Sequence, residues 1–104
     1  MQTIKSSKDI DLIFKNGEKI NFPFLNLIVC KNNSINGDIA FIAGKKNGNA
    51  VWRNRSKRKL REVYKKLKFN EEFKVLLIAN KKINEYKLNE MVKDIEEKAK
   101  KYLN

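Results

Sequence analysis

The sequence predicts an α+β fold, a single domain over residues 1–104 in which helices pack on a four-stranded sheet. Three observations predict this class. With 104 residues, the chain is long enough to bury one core of ordinary size. The spacing of its apolar residues alternates between a helical period and short runs rich in branched and aromatic residues. Glycine, asparagine and proline punctuate these segments, and the resulting element order is αβββαβα.

The first half of the chain predicts one helix and three strands. Ser6 and Ser7 can cap the helix, which ends at Asn16-Gly17. Its apolar residues recur at i, i+3 and i+4: Ile10, Ile13 and Phe14. The strands are expected at residues 20–22, 24–30 and 38–43, with Pro23 between the first two and a polar loop at residues 31–37. Residues 24–43 are therefore predicted to form a β-hairpin.

The second half predicts a long helix, a strand and a last helix. The long helix is expected to begin near Asn49 and to end at residues 70–72. Its packing residues share an arc of about 120 degrees: Trp52, Ser56, Leu60, Val63, Tyr64 and Leu67. A strand at residues 73–79 and a loop at residues 80–85 follow. The last helix carries its apolar residues on one side: Leu88, Met91, Val92, Ile95, Ala99 and Tyr102.

The long helix also holds most of the net positive charge. The formal net charge is +12, and the segment from Lys45 to Lys68 contributes +10 of it, with Glu62 as its single acid. All four arginines of the chain fall within this segment: Arg53, Arg55, Arg58 and Arg61. A guanidinium donates two parallel hydrogen bonds to a phosphate and stacks on bases, which a lysine ammonium does not. This clustering indicates a nucleic-acid partner.

Several other functions are disfavoured. No apolar run approaches the roughly 20 residues that a membrane helix needs. The single cysteine, Cys30, has no disulfide partner and lies in an apolar strand, so a buried thiol in a cytoplasmic protein is expected. With no histidine in the chain and no activating group near Ser56 or Cys30, the sequence predicts no catalytic side chains.

A metal site on the last helix is also disfavoured. Glu90, Asp94 and Glu97 share one face of this helix, a spacing that could hold a hard cation. The same region contains acid-before-base pairs four residues apart, at 94 and 98, 96 and 100, and 97 and 101. Weak ion pairs on a solvated helix are the simpler interpretation, and no metal ligands are predicted in the protein.

The segment Lys45 to Arg61, KKNGNAVWRNRSKRKLR, resembles a known family, the protein component of bacterial ribonuclease P. Eleven of its 17 positions match the family signature: Lys45, Lys46, Gly48, Ala50, Val51, Arg53, Asn54, Arg55, Lys57, Arg58 and Arg61. Phe14-Lys15-Asn16-Gly17 and Phe24 extend the match to the family's first helix and second strand. The resemblance covers nearly the whole chain.

The resemblance implies an RNA-binding subunit that assists a catalytic RNA. In the family, the RNA subunit uses Mg²⁺ to remove the 5′ leader of precursor tRNA, and the basic protein assists. The resemblance also implies a left-handed crossover, which parallel strands rarely adopt. The residues expected to contact the catalytic RNA are Lys45, Lys46, Arg53, Asn54, Arg55, Lys57, Arg58, Arg61 and Lys65.

A second surface, between the first helix and the sheet, is expected by resemblance to hold the single-stranded leader. Its candidate residues are Ile10, Phe14 and Phe24, each of which could equally belong to the core. Ile10 stands where many relatives have an aromatic residue, and Ser56 and Lys59 replace apolar residues within the motif helix. Trp52 is interpreted as a partly buried anchor rather than a platform for base stacking.

Two other functions compete with this one. A ribosomal or ribosome-assembly protein could use the same basic helix only to stabilise folded RNA. A helix-turn-helix DNA-binding protein would place a short turn between two helices. Because predicted strands flank the basic helix on both sides, the DNA-binding alternative fits the sequence poorly.

Overall fold

The computed structural model describes residues 2–104, and the predicted order αβββαβα is confirmed. The helices are α1 (Ser7–Asn16), α2 (Ala50–Leu67) and α3 (Leu88–Lys98). The strands are β1 (Glu18–Asn21), β2 (Leu25–Cys30), β3 (Ile39–Ile42) and β4 (Lys74–Ala79). Short 3-10 turns at Lys45–Asn47, Ile83–Glu85 and Lys100–Tyr102 complete the regular structure.

No helix within residues 2–104 is both long and apolar enough to cross a membrane.

The four strands form one mixed sheet in the order β1-β2-β4-β3. The predicted hairpin over residues 24–43 is wrong, because β4 lies between β2 and β3. Strand β4 is antiparallel to β2 and parallel to β3, with Leu77 facing Leu27 on one side and Phe41 on the other. Strand β4 therefore takes a central position, with both faces covered and four of its six residues buried. The actual hairpin joins β1 to β2 around Pro23, where the Phe22 amide donates to the Leu25 carbonyl over 2.9 Å.

The sheet carries a core on each face. On one face, α2 and α3 cover the strands with Leu60, Val63, Met91 and Ile95, each fully buried. On the other face, α1 packs Ile13 against the sheet in a smaller cluster. The β3–α2–β4 connection is the crossover between parallel neighbours, and its left-handed sense stays a prediction.

Helix α2 is shorter at its C-terminus than predicted. Asn49 caps its first turn, since the Asn49 Oδ1 accepts a hydrogen bond of 3.0 Å from the Trp52 amide. The helix ends at Leu67, because Lys68 adopts a left-handed conformation with φ of 52°. Asn70, which was expected to end the helix, instead forms a turn in which its Oδ1 accepts from the Glu72 amide.

The C-terminal segment also differs from the prediction. Helix α3 ends at Lys98, so of the three predicted pairs only Asp94 and Lys98 form an ion pair, at 3.7 Å, within residues 2–104. Beyond the helix, Lys101 turns toward β1 and pairs with Glu18 at 3.1 Å. Hydrogen bonds from Tyr102 and Lys101 lower the pKa of Glu18. Cys30, expected to be buried, is half-buried at the end of β2.

Candidate RNA interface

The exposed side of α2 presents the predicted basic residues to solvent. Its exposed members are Asn54, Arg55, Arg58, Arg61 and Lys65. Lys57 and Arg53 are half-buried at the edge of the packed face. The opposite side holds Ser56, Leu60, Val63 and Leu67 against the sheet, as the 120-degree arc predicted. One helix therefore aligns many cations along a rigid axis.

Lys45 and Lys46 extend this surface past the helix N-terminus. Both are exposed and belong to the 3-10 turn Lys45–Asn47, which Gly48 separates from Asn49, the cap residue of α2. The unpaired amides at a helix N-terminus carry partial positive charge and attract phosphate. Both lysines thus add to a region that is already electropositive.

Arg53 has a structural role in addition to its charge. Its Nη1 donates a hydrogen bond of 3.3 Å to the Gly48 carbonyl, five residues earlier. This bond joins the helix to the turn that carries Lys45 and Lys46. Replacing Arg53 would therefore disturb the backbone as well as remove a cation.

The two edges of α2 are held by different contacts. On one edge, the Arg61 guanidinium lies 5.6 Å from the centre of the Phe41 ring. On the other, the Lys59 Nζ donates to the Ile83 carbonyl over 3.2 Å and to the Tyr86 carbonyl. Burial lowers the pKa of Lys59, while the two carbonyls accept hydrogen bonds from its charged form. Because the Lys59 ammonium already binds the protein, its function is to hold the loop before α3.

Trp52 is an anchor, as the sequence analysis favoured. Its ring is half-buried against the α2–α3 core, and its Nε1 donates to the Lys81 carbonyl over 3.2 Å. Gly48 accommodates this ring, because a Cβ at Gly48 would lie 2.6 Å from the Trp52 Cγ.

We expect Gly48→Ala to destabilise the domain by about 1 to 3 kcal/mol, since the rigid indole would have to move to admit the methyl group. Thermal unfolding would measure this loss. The matched control is Gly44→Ala, because a Cβ at Gly44 meets only the Asn47 Nδ2, at 3.9 Å. Equal stability of the two variants would contradict the packing described for Trp52.

The three leader-cleft candidates do not lie together. Phe14 on α1 is 37% exposed, and Ile10 is half-buried against the α1-side cluster. Phe24 is 2% exposed and packs with Phe22 and Tyr86, at ring distances of 5.3 Å, in the core on the other face. Of the two positions left open for Phe24, the structure therefore favours the core over the cleft. Phe24 follows the proline in the β1–β2 turn, where the strand alternation that would aim it toward α1 has not yet begun.

Three sheet residues next to α1 were missed by the sequence analysis. Asn26, Ile78 and Ile42 are paired across β2, β4 and β3 and are all half-buried. They share the α1 face with Ile28, which is two residues from Asn26 along β2. Together with Ile10, and with Phe14 one turn further along α1, they define a partly open and mostly apolar surface, which we call the α1 cleft. Without the strand order, nothing in the sequence could place these three side by side.

No catalytic constellation accompanies these surfaces in the part of the chain that the structure describes. Residues 2–104 contain no group of three or more histidine, cysteine, aspartate or glutamate side chains placed to hold a metal ion. Within this range, no cluster of oxygen ligands of the kind that Mg²⁺ needs is present.

Comparison with known proteins identifies the family. The family model described as ribonuclease P matches residues 1–103. The chain belongs to the ribonuclease P protein family. The family resemblance noted in the motif segment is thus confirmed. Membership also decides against an unrelated structural RNA-binding protein, and the strands on both sides of α2 decide against a helix-turn-helix.

Individual members of the ribonuclease P protein family match this chain over different shares of their lengths. The ribonuclease P protein component of Fusobacterium nucleatum is 34% identical over 99 residues, which cover 92% of this chain and 88% of that protein. The component from Natranaerobius thermophilus is 38% identical over 63 residues, or 61% of this chain. The matches to that protein and to the one from Nitratiruptor span only 55% and 57% of their lengths.

Two solved structures of family proteins match the fold. The Staphylococcus aureus RNase P protein has a TM-score of 0.79 and 27% identity, covering 100% of this chain and 99% of that one. The Thermotoga maritima RNase P protein has a TM-score of 0.77 at 22% identity, and both chains are fully covered. At 22% identity, the similarity to the Thermotoga maritima protein supports the fold and carries no argument about function.

Proposed function

We propose that this protein is the RNA-binding subunit of a cytoplasmic ribonuclease P, which removes the 5′ leader from precursor tRNA. The observation that carries the proposal is the alignment of Arg55, Arg58 and Arg61 on the exposed side of a helix in a chain of this family. Their guanidinium groups bind the phosphates of the catalytic RNA and fix the protein on its surface. Such contacts position the RNA without reading its sequence.

The RNA subunit carries out the hydrolysis in this proposal. Mg²⁺ held by the RNA supplies charge stabilisation and an activated water for cleavage of the phosphodiester. The protein supplies positive charge, which lowers the repulsion between the catalytic RNA and its precursor tRNA substrate. The absence of a histidine from the whole sequence agrees with this division of labour.

The α1 cleft is the proposed surface for the single-stranded leader. Its exposed aromatic residue, Phe14, offers a ring for stacking, and Ile42 and Ile78 offer apolar contact. Asn26 adds an amide that can hydrogen-bond a base edge. Such a surface binds single strands with little sequence preference, which suits a substrate class with many different leaders.

Reconstitution tests this function. Bacterial ribonuclease P RNA is incubated with precursor tRNA at low Mg²⁺, where added protein should restore removal of the leader. Ribonuclease P RNA alone and the protein alone serve as controls, and both should be inactive under these conditions. Cleavage by the protein alone, or no stimulation by it, would overturn the proposal.

A further inference from the structure

Two lysine pairs occupy equivalent positions at the same end of the sheet. Strands β3 and β4 are parallel neighbours, with Ile42 paired to Ile78. Lys45 and Lys46 lie three and four residues beyond Ile42, and Lys81 and Lys82 lie three and four residues beyond Ile78. Because β3 and β4 are adjacent and parallel, about 4.8 Å apart, the segments that follow them leave the sheet side by side at the same edge. The second pair is 36 residues from the first in sequence, yet both adjoin Trp52, whose ring packs against Gly48 and whose Nε1 donates to the Lys81 carbonyl.

The loop that carries the second pair is fastened to α2 by side chains one turn apart. The Trp52 Nε1 donates to the Lys81 carbonyl over 3.2 Å, and the Asn84 Nδ2 donates to the Ser56 Oγ over 3.3 Å. One turn further, the Lys59 Nζ binds two carbonyls of the same loop. Positions 52, 56 and 59 are spaced i, i+4 and i+7, so they form a single stripe along α2. The stripe holds the loop beside the first three turns of the helix.

The lysine side chains themselves are available for a ligand. Lys81 and Lys82 are both exposed, and neither forms an ion pair within residues 2–104. Asn80 shapes their turn, because its Oδ1 accepts from the Lys82 amide over 3.1 Å. The only acid in residues 80–87 is Glu85, against three lysines. Phosphate is the chemistry that such a fixed and uncompensated pair recognises.

We propose that Lys81 and Lys82 form a second phosphate-binding site, continuous with Lys45 and Lys46, for the backbone of the RNA that binds α2. This inference rests on the proposed function, since it takes a structured RNA as the ligand. The site widens the interface from one helix to both loops at the end of the sheet. Trp52 and Lys59 are positioning residues, because they fix the loop without contacting the RNA.

The test is the salt dependence of affinity for ribonuclease P RNA, measured for Lys81→Ala/Lys82→Ala and wild type. Each phosphate contact contributes about 0.7 to 0.9 to the slope of log K against log salt, so the double variant should flatten the slope by about 1.4 to 1.8. Affinity near 0.1 M salt should fall about 10-fold. Lys81→Arg/Lys82→Arg should keep the wild-type slope, because its charge is retained.

The matched control is Lys93→Ala/Lys100→Ala, which removes the same charge from exposed positions. Lys93 and Lys100 lie near Leu103, whose bridge to Phe69 is at the other end of α2. The control should change affinity less than 2-fold. Equal slopes for the two alanine variants would overturn this site and leave the proposed function intact. Failure of the wild-type protein to bind this RNA would overturn both.

Discussion

Replacing Arg55, Arg58 and Arg61 together with alanine is expected to weaken binding to ribonuclease P RNA by about 100-fold near 0.1 M salt. The three guanidinium groups are exposed on one helix, so the RNA loses three forked donors at once. The slope of log K against log salt should flatten by about 2 to 3. A filter-binding titration at several salt concentrations measures both quantities.

The matched control replaces the same three arginines with lysine. Charge is then conserved while the planar fork is lost, so the slope should stay near wild type and affinity should fall by only about 10-fold. Folding should persist in both variants, since only Arg61 touches the core surface, through the Phe41 ring. Wild-type affinity in the alanine variant would show that α2 does not contact the RNA.

Phe24→Ala is expected to cost about 3 to 5 kcal/mol of stability, a large share of the 5 to 15 kcal/mol typical of a domain. The ring is 2% exposed and lies between Phe22 and Tyr86, so its removal leaves a cavity. Chemical denaturation of the isolated protein measures this loss. A loss below about 1 kcal/mol would contradict the core position of Phe24.

Phe14→Ala is expected to behave in the opposite way. Because the ring is 37% exposed, its loss should change stability by less than about 1 kcal/mol. Stacking on an aromatic ring contributes about 1 to 3 kcal/mol per base, so the preference for precursor over mature tRNA should fall by about 5-fold or more. The preference is measured with the reconstituted complex. An unchanged preference together with lower stability would show that Phe14 is a core residue and does not bind the leader.

Local patterns along the chain predicted the elements well but could not predict how the strands are arranged. The amphipathic spacing of α2 and the caps at Ser6 and Asn49 are encoded within a few residues, and the structure contains both caps. Which strands pair depends on contacts far apart in sequence. The polar loop at residues 31–37 is compatible with a hairpin, yet β4 lies between β2 and β3 in the sheet. The end of α2 was also missed, since Lys68 is not a usual residue for a left-handed cap.

In the candidate site, too, features set by local sequence could be predicted and features set by strand pairing could not. The basic face of α2 could be predicted because one helical period determines it. The Lys81–Lys82 pair could not, because its proximity to Lys45 and Lys46 follows from the parallel pairing of β3 with β4. Lys59 was noticed as a departure from the family pattern, but its bonds to Ile83 and Tyr86 require the folded loop. The choice between core and cleft stayed open for Phe24, because its position beside Pro23 hides which face of the sheet it takes.

Tethered cleavage of the RNA tests most directly whether α2 lies on the catalytic RNA. An iron chelate that generates hydroxyl radicals is attached to Glu62→Cys in a Cys30→Ser background, since Glu62 borders the surface formed by Arg55 and Arg58. The control attaches it to Asn33→Cys, in the exposed loop between β2 and β3. Position 62 should cut the ribonuclease P RNA at a few discrete nucleotides and position 33 should not. Cleavage from position 33 with none from position 62 would contradict binding through α2.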